Sequence, residues 1–85
     1  MAKYGIYTIK DVLANTFTGV TLFCSQAEAE RSFSSQVNNI DIWRDNPHDF
    51  ELWRVGEYDS STGMVGATEE FPVEKINSGS AYVRR

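Results

Sequence analysis

Two Trp-Arg pairs, Trp43-Arg44 and Trp53-Arg54, stand ten residues apart in this chain. An aromatic ring stacks on a nucleobase and a guanidinium holds a phosphate, so each pair carries the chemistry of single-stranded nucleic-acid binding. The competing reading is that each Trp packs inside the fold and each Arg meets a nearby carboxylate. Geometry restricts the first reading. If residues 50–59 form a strand, Trp53 and Arg54 point to opposite faces and cannot both serve one ligand on a flat sheet. The other cations of interest are Lys3 and Lys10 near the start and Arg84-Arg85 at the end. They make one basic strip if the C-terminus returns to the first strand. The candidate set is therefore Lys3, Lys10, Arg54, Arg84 and Arg85 for phosphates, with Tyr7 and Trp53 for bases.

Other chemistry is thinly supplied. His48 and Cys24 are the only residues of their types, too few for a zinc site of about four N or S ligands. Cys24 follows Leu22 and Phe23 and is expected to be a buried, inert thiol. Asp41, Asp45 and Asp49 lack the glycine and terminal glutamate of a calcium loop and read as solvated loop carboxylates. Glu57 and Asp59 share a strand face next to a turn, where such groups are solvated or capping. There is no nucleophile elbow, phosphate-binding glycine loop or Cys-x-x-Cys. The expectation is a protein that is not an enzyme and takes no metal or cofactor.

The positioning elements follow from pattern. The 85 residues suit one domain, 1–85, with a thin stability margin. Hydrophobic residues make up 41% and aromatics 13%, and the net charge is −4. The acidic pI of about 4.8 argues against coating nucleic acid by bulk charge and leaves only a local basic patch open. No apolar run reaches the roughly 18 residues of a membrane span, and the start has no signal-peptide core. A soluble, intracellular protein is expected.

Residues 3–11 are rich in Tyr, Ile and Thr and read as a strand. Both of its faces are apolar, so it is expected to be central and covered on both sides. Asn15 and Gly19 mark a loop before a second strand at 20–25. Ser25 and Glu28 have capping-box spacing, and Ala29, Phe33 and Val37 make a narrow stripe on the helix that follows. Residues 40–49 read as an irregular linker around Pro47. A third strand, 50–59, turns through Asp59 and Gly63 into a weak fourth at 64–71, and Asn77 to Ser80 read as a turn before a short basic tail at about 79–85. The fold class is α+β: a small antiparallel sheet of about four strands with one helix on a face, in ββαββ order. The stripe covers one sheet face only. The uncovered face calls for water, a ligand or a second subunit, so a homodimer or higher oligomer is expected.

The segment "NPHDFELWRVGEYDSSTG" resembles one shared by the small nonstructural proteins of gokushoviruses, single-stranded DNA phages of the Microviridae. The pattern is Pro47-His48-Asp49-Phe50, an apolar strand, then Gly56-Glu57-Tyr58-Asp59, two spacers and Thr62-Gly63. His48 stands where that family usually has an acid. The strand ending "IKD" and the helix "AEAERSFSSQVN" are also similar, so the resemblance covers about residues 3–65. It implies a role in the switch from duplex replication to single-stranded genome synthesis, in the cytoplasm of a bacterial host. The partners it implies are single-stranded DNA or, if the protein is an acidic adaptor, a phage replication or capsid protein.

Overall fold

The computed structural model describes residues 3–83. Its first strand, β1 (Lys3–Asp11), lies between β2 (Thr16–Phe23) and β3 (Phe50–Asp59), antiparallel to both. The far side of β3 is shared by β4 (Val65–Gly66) and β5 (Glu74–Ser78). The helix α1 (Gln26–Asn39) crosses one face, followed by a short helix α2 (Asp41–Asp45). This is the expected α+β class, with an antiparallel sheet and one main helix.

Local chemistry accounts for the frame. Ser25 is extended and its Oγ accepts from the Glu28 amide at 3.3 Å, which caps α1. Ala29, Phe33 and Val37 are buried as the stripe requires. Asn39 ends α1 without a left-handed residue: Ile40 is extended and caps through its amide to the Gln36 carbonyl. In the turn after β3, Asp59 Oδ1 accepts from the Ser61 amide at 2.9 Å, and Gly63 sits at φ 76°. Asn15 closes the β1–β2 turn at φ 54°, a conformation that Asn tolerates.

Several expectations are corrected. β2 begins at Thr16, because Gly19 at φ 60° is a bulge inside the strand and not part of the hairpin turn. Residues 40–49 form α2 and a 3-10 turn (Pro47–Asp49), so Pro47 starts a turn and leaves the helix before it intact. The fourth strand shrinks to β4, and Glu74–Ser78 forms β5 instead. The segment 79–83 is no tail: a 3-10 turn (Gly79–Tyr82) docks on α1, with the Tyr82 ring edge-on to Phe33 at 5.4 Å. Cys24 is exposed, since alternation turns Phe23 toward the helix and leaves the next side chain outside. Asp59 does cap its turn, but both it and Glu57 are buried.

The core lies between α1 and the sheet. Tyr7, Phe50 and Leu52 of the strands meet Ala29, Phe33 and Val37 of the helix. Trp43 joins from α2, stacked on Phe50 at 4.7 Å. The other face of β1 is not covered by any described element. Ile6 and Thr8 are buried there by their neighbours on the same face.

Tyr82 gives this packing a pH signature. Its hydroxyl donates to Glu30 Oε1 at 2.5 Å. Burial, then that hydrogen bond and the Glu30 charge, push its pKa up from the ordinary value near 10 to about 12. A raised pKa means that the stabilisation is complete below the unfolded-state value and is lost as pH rises through the folded one. The protein is expected to lose stability between about pH 10 and 12. Tyr82→Phe should flatten this window in urea denaturation followed across pH. An unchanged alkaline slope in the variant would contradict the assignment.

Candidate nucleic-acid interface

Strand parity and two bulges decide which side chains share the open face. β1 alternates, so Tyr4, Ile6, Thr8 and Lys10 point away from the helix. On β3 the register pairs Thr8 with Trp53 and Tyr7 with Arg54. Trp53 therefore lies on the open face and Arg54 does not. On β2, Lys10 pairs with Phe17 and Ile6 with Leu22, which brings both apolar side chains to the same face.

At one end of this face, Phe17 and Trp53 meet edge to face, with centroids 5.4 Å apart and planes at 89°. The Lys10 ammonium lies 5.6 Å from each ring centroid. At such distances a cation is attracted by the ring quadrupoles. Trp53 Nε1 donates to Glu51 Oε1 at 3.0 Å, which fixes the indole plane, and Lys75 pairs with Glu51 at 3.1 Å. Burial pushes the Glu51 carboxyl up, but Trp53, Lys75 and Lys10 outweigh it and hold the group below its usual value. Glu51 is thus an anion beside the rings. A phosphate chain can follow the Lys10–Phe17 side and is repelled from the Glu51 side.

At the other end the face is apolar. Ile6, Val20, Leu22, Val55, Tyr58 and Val65 line a shallow depression of about 410 Å³. Tyr4 and Tyr58 stack beside it at 6.3 Å.

The sequence-based candidates divide. Lys10 and Trp53 are brought together. Tyr7 is 3% exposed in the core beneath α1 and cannot reach a base. Arg54 is ion-paired with Glu74, lies 4.7 Å over the Phe71 ring, and has a side chain only 12% exposed. Its guanidinium has protein partners where a phosphate was expected. Lys3 and Lys10 are seven residues apart on one strand, at opposite ends and of opposite parity, so they do not form a strip. Arg84 and Arg85 lie outside the described residues. Trp43 is in the core, and its neighbour Arg44 meets Asp41 at 2.9 Å. Phe17 was missed because it was read as loop. The Thr-Phe-Thr alternation around it was the available signal. His48 is an exposed turn residue, as expected. Among the described residues no cluster of three or more His, Cys, Asp or Glu is placed to hold a metal.

Fold and surface together define a class: a small α+β protein with a sheet face left open and aromatic at one end. The chain matches the family model described as Phage ORF5 protein over residues 4–82 and belongs to that family. It is a phage protein. No curated protein matches it, and no solved structure does.

Proposed function

We propose that this phage protein binds single-stranded DNA on the open face of its sheet, as a non-enzymatic nonstructural protein of the gokushovirus type acting in the host cytoplasm. It would assist the switch to single-stranded genome synthesis. The observation that carries this reading is the Phe17–Trp53 pair with Lys10 over both rings, on a face that no described element covers. Stacking needs unpaired bases and contributes about 1–3 kcal/mol per base, so single strands should win over duplex. Lys10 is the cation placed to reach the backbone, so the salt slope should be shallow, about −0.7 per contact.

The test is a titration with a thymidine oligonucleotide and a matching duplex at about 50 and 200 mM salt, read by anisotropy of the labelled DNA. Phe17→Ala is expected to weaken single-strand binding by about tenfold with the slope unchanged. Phe17 is 48% exposed, so the fold should tolerate the change. Lys10→Gln should flatten the slope. Absence of single-strand binding at about 50 mM salt with tens of micromolar protein would refute the reading.

A second reading is favoured by the apolar end of the face. Its depression carries no charged side chain among its lining residues, which suits a protein partner better than a polyanion. On this reading the protein is an adaptor for a phage replication or capsid protein. It predicts that Leu22→Lys abolishes partner capture and that Lys10→Gln leaves it unchanged.

A further inference from the structure

The free edge of β2 points to a second copy of this chain. β2 is hydrogen-bonded to β1 on one side, and its other edge is unpaired among the described residues. Such an edge is a template for strand addition; besides bulges that twist it away, proteins blunt it with charge or proline. Here the eight residues "TFTGVTLF" contain neither. The one irregularity is the bulge at Gly19, which lies near the middle.

We infer that two copies pair antiparallel through β2 about a two-fold axis next to Gly19 and Val20. The strand is self-complementary in that register. Thr16 faces the partner's Phe23, Phe17 faces the partner's Leu22, and Thr18 faces the partner's Thr21. Directly opposed residues of an antiparallel pair must share a face, and the pairing with β1 provides this. Phe17 and Leu22 both belong to the open face, through Lys10 and Ile6. Thr18 and Thr21 both belong to the helix side, through Ile9 and Tyr7. The bulge makes this possible. Without the extra residue, Thr18 and Thr21 would have opposite parity. Thr-Thr and aromatic-aliphatic cross-strand pairs are both favourable, and no like charges meet, since the strand has none.

A second copy fits this edge better than an unrelated strand, because sequence, bulge and face match about the two-fold axis. The edge runs about 27 Å at about 3.4 Å per residue. A strand pair of that length is a small contact beside the standard interface of about 800 Å² per partner, so the association is expected to depend on protein concentration. The resulting sheet continues across both copies. It sets the two Lys10–Phe17–Trp53 platforms on the same side, with the partner's Leu22 against each Phe17. The pairing does not rest on the DNA reading, and it is measured without DNA.

Sedimentation velocity from about 5 to about 500 µM is expected to show the mass rising from 9.6 kDa toward twice that value. Val20 is 67% exposed, so Val20→Lys should leave the melting temperature unchanged. It places two ammonium groups beside the axis and should keep the protein monomeric. Thr18→Cys with Thr21→Cys, in a Cys24→Ser background, should form intermolecular disulfides on oxidation at least tenfold more than Thr16→Cys with Thr21→Cys. A monomer at every concentration overturns the inference. So does an association that Val20→Lys leaves intact, or a control pair that bridges as well as the 18/21 pair.

Discussion

Gly79→Ala is expected to abolish cooperative folding at 25 °C, or to lower the melting temperature by more than about 12 °C. Gly79 is buried where the chain leaves β5, and a Cβ there would fall inside the van der Waals envelope of the Pro47 carbonyl oxygen. It would also lie 3.2 Å from the Phe50 carbonyl oxygen. Both obstacles are main chain. Pro47 belongs to the 3-10 turn that leads into β3, and Phe50 opens β3, whose next residue, Glu51, pairs with Ser78. Relief would have to separate β5 from β3 or lift the turn away from the core. Overpacking against movable side chains costs about 1–3 kcal/mol, so about 3 kcal/mol or more is expected here. At 0.05–0.15 kcal/mol per residue, a chain of this size has about 4–13 kcal/mol in total. Each kcal/mol moves the midpoint by about 4–8 °C in a domain of this class. Thermal melts followed by circular dichroism decide the matter. A midpoint within about 5 °C of the parent would show that the junction is looser than described.

Phe33→Ala is expected to cost about 3–5 kcal/mol. Phe33 is 1% exposed and stands at the centre of the ring cluster. Tyr82 meets it edge-on, and Trp43 lies 6.1 Å away at 55°, itself stacked on Phe50. Truncation removes a side chain that ties α1, α2 and the C-terminal turn to a common point. The cavity cannot close easily, because Leu52 and Val37 on its other sides are fully buried and held by the sheet and the helix. Urea denaturation should show a lower midpoint, and Trp43 emission should shift to the red as water reaches the indole. A loss below about 1.5 kcal/mol would mean that the rings close over the gap and that the core is less specific than it looks.

The elements that can be read from neighbours in sequence are those that neighbours stabilise. The helix is announced by Ser25, Glu28 and the Ala29–Phe33–Val37 spacing, because a cap and a stripe lie within a few turns of one segment. The β3–β4 turn is announced by Asp59 and Gly63, whose contacts span five residues. That Trp53 and Arg54 must separate also follows from strand parity alone, and the register bears it out.

The rest is non-local. β5 has little strand signal in "EKINS". It is a strand because β3 offers it an edge, with Lys75 reaching Glu51 and Glu74 reaching Arg54 across the pair. The α2 helix holds because Trp43 finds Phe33 and Phe50. Parity puts Tyr7 and Lys10 on opposite faces of β1, but which face takes the helix is decided by where Phe33 and Val37 pack. That choice buried Tyr7 and left Lys10 outside. The bulges at Val55 and Gly19 each insert one residue and invert the alternation beyond it. No pattern within a strand reveals such an insertion, because the extra residue is defined only by what the neighbouring strand leaves unpaired. Local pattern alone therefore yields the α+β class, the capped helix and the residue types of a candidate binding surface. That Phe17, Lys10 and Trp53 meet on one face depends on register across three strands and on the face the helix leaves open.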